Sequence, residues 1–254
     1  MAALQTLPRP RPADATAIDR LLARSDAYRL IAGAFRDPDG PLGEDLPADD
    51  LIGALADLGL RPGPAESRQI RGVRRRVERG REHRAIFGHT VAHGCPAYET
   101  EYGQDQIFGQ AQELADIAGF YGAFGLVPAA PGERPDHITC QLEFLGVVAL
   151  KEALAVARDE SEHAAVCRDA ARSFLAEHLG RWLPALVARV AERAPGTGYA
   201  ALIGATQRLV SDHAAELGVL PVASGSLQLR PVSPEADSFA FSCGVEEGDP
   251  DIPG

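Results

Sequence analysis

Residues 107–126 read IFGQAQELADIAGFYGAFGL. Ile107, Ala111, Leu114, Ile117, Tyr121 and Phe124 recur at three- and four-residue intervals, which places them on one face of a helix that Gly125 ends. Downstream, the loop 126–134 carries Pro128, Pro131 and Gly132. The next helix is expected to begin near Pro135 and Asp136, with a first-turn proline or a carboxylate cap, and with Ile138, Leu142, Leu145 and Val148 as its apolar stripe. Further helices are expected over about 164–178, 183–193 and 199–216, separated by Gly180, Pro184, Pro195 and Gly196. Upstream, a loop spans about 88–104, and Ile70, Val73 and Val77 carry a helix whose other faces are basic. Leu51, Leu55 and Leu58 mark a short helix closed by Gly59. Ile18, Leu21, Leu22, Tyr28, Ile31 and Phe35 mark the first helix, stopped at Asp37-Pro38-Asp39-Gly40.

No segment alternates in the manner of a half-buried strand. The expected fold is all-α, a single bundle domain of about eight helices over 13–217. A flexible arm, 1–12, precedes it. An extended, largely irregular tail, 218–254, follows and holds Pro221, Pro231, Pro234, Pro250 and Pro253.

With 254 residues, 45% hydrophobic and 24% charged, the chain can build a sizeable core without a metal or disulfide staple. Its net charge of -11 argues against a general nucleic-acid binder, because neutralising phosphates needs a basic surface. No apolar run approaches the ~20 residues that span a bilayer. The first twelve residues lack an apolar h-region and a small-residue cleavage site, so a cytoplasmic location is expected. Cys95, Cys140, Cys167 and Cys243 are then expected to stay reduced.

His89, His93 and Cys95 form an H-x3-H-x-C cluster that could ligate a metal or cofactor, although Gly88 and Gly94 make a helix there doubtful. Seven arginines between Arg71 and Arg84 could grip a phosphate or an acidic partner, or form a solvated face paired with Glu78 and Glu82. Cys140 lies three residues from His137, a spacing open to a nucleophile but more typical of an inert buried thiol. There is no G-x-S-x-G elbow, no phosphate loop and no dinucleotide fingerprint. The chain is therefore expected not to be an enzyme and to carry neither metal nor cofactor. The alternatives are a metal- or cofactor-binding protein using His89, His93 and Cys95, or a nucleotide-binding enzyme of unrecognised type.

Two segments say more. One is Cys95-Pro96-Ala97-Tyr98-Glu99-Thr100-Glu101-Tyr102-Gly103. The other ends in Phe120-Tyr121-Gly122-Ala123-Phe124-Gly125-Leu126, then runs through Glu133-Arg134-Pro135-Asp136-His137 into Leu142-Glu143-Phe144-Leu145. Together they resemble the TorD/DmsD/NarJ family of redox-enzyme maturation chaperones, strongly over 86–155 and weakly over 13–85 and 156–217. The P-Y-E-x-x-Y-G segment is similar to members serving type II DMSO-reductase-like enzymes, which act on selenate, chlorate, dimethyl sulfide or hydrocarbons.

The resemblance implies an all-helical cytoplasmic protein that binds the catalytic subunit of a molybdenum oxidoreductase, often through its twin-arginine signal peptide. Such a protein holds the subunit until the bis-molybdopterin guanine dinucleotide cofactor is inserted. A twin-arginine peptide presents a cationic stretch and then an apolar one, so binding it calls for carboxylates beside an apolar groove. Glu99, Glu101, Glu133, Asp136 and Glu143 could supply the first, and Phe120, Tyr121, Phe124, Phe144 and Leu145 the second. The resemblance links Asp136 and His137 to signal-peptide recognition. Arg134, Tyr98 and Tyr102 complete the expected client-binding set, with loop-anchoring roles open for both tyrosines and helix capping open for Asp136. If the helix at 107–124 is ~30 Å long, the loops at its two ends start far apart. Either the first loop folds back along the helix, or the segments form two sites, or a second subunit completes one. A monomer and a segment-swapped dimer both remain open.

Overall fold

The computed structural model describes residues 12–40, 42–87, 94–103, 109–127, 134–220, 227 and 229–230. Nine helices run through them: α1 (Pro12–Phe35), α2 (Ala48–Asp57), α3 (Pro64–Gly72), α4 (Arg76–Phe87), α5 (Gly109–Ala123), α6 (Ile138–Ala157), α7 (Ser161–Glu177), α8 (Leu179–Arg193) and α9 (Gly198–Glu216). A single 3-10 turn, Glu99–Glu101, interrupts the connection between α4 and α5. The all-α expectation holds, and the described residues contain no strand beyond two isolated bridges.

The longest interface is between α1 and α6, whose apolar faces bring Tyr28, Ile31 and Phe35 towards Ile138, Leu142, Leu145 and Val148, all buried. α7 packs on the far side of α6, and α8 on α7. α9 then closes against α8, α3 and α1. Each fully buried Leu, Ile or Phe contributes roughly 1.5–3 kcal/mol relative to exposure, and this continuous core carries the fold.

Two helix boundaries differ from expectation. Ile70, Val73 and Val77 do not share one helix: the chain turns at Val73, burying Ile70 and Val73 and leaving Val77 74% exposed. The cause is a distant cap. The Asp45 carboxylate accepts from the Arg76 N–H at 2.8 Å and starts α4 afresh, while the Arg74 carbonyl accepts from the Leu46 N–H. Gly180 and Pro184, expected to separate helices, both lie inside α8. Trp182, Leu183, Leu186 and Val190 are completely buried at helical spacing, and their burial outweighs the missing proline N–H. α7 and α8 join directly at His178, with φ -122° and ψ -102°. A side chain at Gly180 would put its Cβ 2.2 Å from the Leu175 carbonyl oxygen, so only glycine fits this bend.

The arginine run also finds other partners than Glu78 and Glu82. Arg71 Nε donates to Asp49 at 2.7 Å, Arg84 pairs with Asp39, and Arg76 and Arg79 donate to the carbonyls of Pro38 and Glu44. These bonds tie α3 to the first turn of α2, and α4 to the connection between α1 and α2. Glu82 accepts instead from the Tyr199 N–H at the start of α9. Of the expected arm and tail, only Pro12, 218–220, 227 and 229–230 fall among the described residues.

Candidate functional site

The two motif segments lie side by side. Residues 97–99 run antiparallel to 136–138, with a bridge between Tyr98 and His137. The Glu99 N–H donates to the Asp136 carbonyl at 3.0 Å, and the Ile138 N–H to the Ala97 carbonyl at 2.8 Å. α5 has 15 residues and is about 22 Å long. The loop before it therefore folds back along it to reach the loop after it, the first of the three arrangements considered above.

Asp136 is the hub, and it is fully buried. Its Oδ2 accepts from the Thr100 N–H at 3.1 Å, from Thr100 Oγ1 at 2.8 Å and from Arg134 Nη2 at 2.8 Å; its Oδ1 accepts from Arg134 Nε at 3.0 Å. This is a bidentate guanidinium–carboxylate fork braced by a backbone donor. Arg134 also reaches Thr100 Oγ1 at 2.7 Å and Glu101 Oε1 at 3.3 Å. Burial alone would lower the Arg134 pKa, but its hydrogen bonds and charge attraction to Asp136 and Glu101 hold it above the ordinary value. The expected Asp136 cap is replaced by His137, whose Nδ1 accepts from the Thr139 N–H at 3.2 Å and starts α6. Asp136 sits one residue too early for that role and is committed to Thr100 and Arg134.

Beneath this hub lies a second polar layer. Glu99, 7% exposed, accepts from Gln141 Nε2 and shares a 3.0 Å hydrogen bond with His178 Nδ1. Gln141 in turn accepts from Trp182 Nε1 at 2.9 Å. His178 Nε2 lies 3.3 Å from Asp116 Oδ2, near enough for charge attraction but out of line for a hydrogen bond. Burial would lower the His178 pKa, but the hydrogen bond to Glu99 and the charges of Glu99, Asp116 and Glu177 raise it above the ordinary value. Thr100, Gln141, His178 and Trp182 were absent from the expected set. Gln141 adjoins the L-E-F-L motif, but nothing local in the sequence marks His178 or Trp182.

The tyrosines are anchors. Tyr102, 4% exposed, donates its hydroxyl to the Pro96 carbonyl at 2.9 Å and packs on Trp182 at 5.3 Å between ring centroids. Tyr121 donates to the Pro135 carbonyl at 2.7 Å, and burial pushes its hydroxyl far above the ordinary pKa. Tyr98 is half-buried, with the Arg134 guanidinium 4.3 Å above its ring and His137 edge-on at 4.8 Å. Phe120 and Phe124 are partly exposed and pack edge-on against buried Phe144. Leu145 is fully buried in the core rather than lining a wall. Glu143 stands apart from the hub, paired with Arg36 of α1. Glu133 lies outside the described residues.

The structure thus sorts the expected set into two groups. Glu99, Tyr102, Tyr121 and Asp136 form a buried brace. Tyr98, Glu101, Arg134, His137, Phe120, Phe124 and Glu143 reach solvent around it. The exposed group is a polar rim beside aromatic edges, a surface suited to holding a peptide or protein. His89 and His93 lie outside the described residues. Cys95 is buried and lines a cavity of about 360 Å³ with Glu82, Ile86, Arg193 and Thr197; burial raises its thiol pKa. Among the described residues, no group of three or more His, Cys, Asp or Glu side chains could hold a metal ion, and no helix is long and apolar enough to cross a membrane.

Residues 72–188 match the family model described as nitrate reductase delta subunit. That segment contains the brace and the polar layer beneath it, from Glu99 to Trp182. Three curated relatives are similar. The perchlorate reductase assembly chaperone protein of Dechloromonas aromatica (strain RCB) is 35% identical over 105 residues, 41% of this chain and 46% of the relative. The selenate reductase assembly chaperone protein of Thauera selenatis is 38% identical over 128 residues, 50% of this chain and 62% of the relative. The chlorate reductase assembly chaperone protein of Ideonella dechloratans is 35% identical over 129 residues, again 50% and 62%. The matches span roughly half the length of these relatives. The resemblance to redox-enzyme maturation chaperones stands on both comparisons.

Proposed function

We propose that this chain is a cytoplasmic assembly chaperone for the catalytic subunit of a molybdenum oxidoreductase, working without turnover of its own. One observation carries the reading. The segment matched by the nitrate reductase delta subunit family model, 72–188, folds its two motif loops into one braced surface. A scaffold of this kind holds Tyr98, Glu101, Arg134 and His137 in fixed positions beside Phe120 and Phe124, which lowers the ordering cost of binding a partner. In this reading the client is a type II enzyme of the DMSO reductase family, acting on a substrate such as selenate, chlorate or perchlorate. The chaperone keeps the subunit open for insertion of its bis-molybdopterin guanine dinucleotide cofactor.

The client contacts proposed are the members of the set that reach solvent, together with Glu133. A twin-arginine signal peptide would place its guanidinium groups at Glu101, Glu133 and Glu143 and its apolar stretch along Phe120 and Phe124. The buried members, Glu99, Tyr102, Tyr121 and Asp136, act by positioning them.

The test is co-purification from the native host, with the recovered partners identified by mass spectrometry. Recovery of a molybdopterin-enzyme catalytic subunit, with its leader still attached, is the expected result. Repeated recovery of the tagged chain alone, under conditions that induce molybdoenzymes, overturns the reading.

A further inference from the structure

Among the described residues, the tail meets the brace at Tyr102. Leu229 bridges antiparallel to Tyr102, and the Arg230 N–H donates to the Glu101 carbonyl at 2.8 Å. The Arg230 guanidinium, 9% exposed, pairs with Glu113 Oε2 of α5 at 2.9 Å and donates through Nε to the Tyr102 carbonyl at 3.4 Å. Leu227 and Leu229 pack against the core. Gly103 makes room for this arrangement. Its φ is +131°, and a Cβ there would lie 3.2 Å from Arg230 Nη2. The site loop is thus shaped around an arginine delivered by a remote stretch of the same chain.

We propose that the edge formed by Glu101, Tyr102, Gly103 and Glu113 is a docking site for an extended client segment, and that Leu227, Leu229 and Arg230 occupy it in cis until the client arrives. The inference rests on the chaperone reading and adds a second contact to it. The occupant's own chemistry specifies the client segment: an arginine preceded by apolar residues at one and three positions before it. That order is the reverse of a twin-arginine leader, in which the cationic stretch comes first, so this site takes a different part of the client.

The contact has the properties of a displaceable one. Among the described residues its main-chain pairing is one isolated bridge, and pairings of this size are marginal in water. Leu227 follows the end of α9 by only eleven positions, and a contact made within one chain at so short a separation has an effective concentration on the order of millimolar. A weak contact is then occupied when no client is present. A client segment anchored elsewhere on the rim competes on equal terms.

Two substitutions in the full-length chain separate this role from a structural one. Arg230→Ala releases the tail and leaves the site intact; Glu113→Gln releases the tail and disables the site. The probe is a labelled synthetic peptide of residues 224–234, SGSLQLRPVSP. It is expected to bind the Arg230→Ala chain at least several-fold more tightly than the wild type, and to bind the Glu113→Gln chain no better than the wild type. The co-purified catalytic subunit, with or without its leader, is expected to displace the peptide. Its affinity should rise with Arg230→Ala and fall with Glu113→Gln. Equal peptide binding to all three chains, or a shift of the same sign for both substitutions, makes the tail an ordinary structural element and overturns the proposal. A client recovered by co-purification whose affinity Arg230→Ala leaves unchanged also overturns it, while the chaperone reading stands.

Discussion

Glu99 Oε1 and His178 Nδ1 lie 3.0 Å apart, although 79 positions separate them in the chain. This bond fastens the motif loop to the point where α7 turns directly into α8. The His178 pKa is raised in the folded protein above its ordinary 6.5, against the pull of burial, by Glu99, Asp116 and Glu177. A raised histidine pKa stabilises the fold fully below about pH 6.5, and the contribution fades as pH climbs through the folded value. We therefore expect His178→Gln to cost about 2 kcal/mol near pH 6 and distinctly less near pH 9. Urea midpoints of both chains at the two pH values check this. A cost that does not change with pH would show that the imidazole is neutral throughout.

His213 behaves in the opposite sense. It is buried on α9 with Nδ1 3.0 Å from the Tyr28 hydroxyl, and burial first, then the charge of Arg24, lowers its pKa to about 3. Its share of stability is present above about pH 6.5 and is lost as pH falls towards about 3. Acid should erode wild-type stability across that window by up to about 1.4 kcal/mol per pH unit from this group alone. His213→Asn should flatten that slope, measured as denaturation midpoints between about pH 4 and pH 7.

Asp136→Ala removes the acceptor for the Thr100 N–H and hydroxyl in a fully buried setting. The expected loss is about 3 kcal/mol, with helical circular dichroism retained at low temperature. Arg134 is 40% exposed and can turn to water, so Arg134→Ala should cost about 1 kcal/mol. The double variant should be less destabilised than the sum of the two, and a thermal-melt cycle measures the difference. Strict additivity would mean that the fork contributes nothing as a pair.

The α7–α8 bend gives a paired prediction of opposite sign. Gly180→Ala drives a Cβ into the Leu175 carbonyl and should destabilise by more than about 2 kcal/mol. Pro184→Ala restores a helix donor inside α8 and should stabilise by about 1 kcal/mol. Chemical denaturation of both variants distinguishes a bend that geometry requires from one that the proline merely tolerates.

Much of this architecture is legible in the sequence, because periodicity is a local property. The stripes of α1, α2 and α6, the extent of α9 and the stop at Gly125 follow from residues a few positions apart. What the sequence hides is action at a distance. The break between α3 and α4 depends on the Asp45 carboxylate, 31 positions before the N–H that it receives. Pro184 suggests a boundary that the burial of Trp182 and Leu186 overrides. At the site, the motif residues are recognisable, but their division into brace and rim is not. That division rests on His178 and Trp182, which reach Glu99 and Gln141 only once α7 and α8 have packed. Asp136 and Glu99 look like offered carboxylates in one dimension and are internal ones in three.

The bridge between Tyr102 and Leu229 joins two parts of the chain that are made at different times. During synthesis the motif loops and α6 leave the ribosome well before residue 230 does, and helices form from local contacts long before distant segments meet. A newborn copy thus passes through an interval in which its Glu113 edge stands uncovered. Under the docking proposal, the copies best able to capture a client emerging from a neighbouring ribosome are those still being translated, and each completed copy becomes more selective once its tail has arrived.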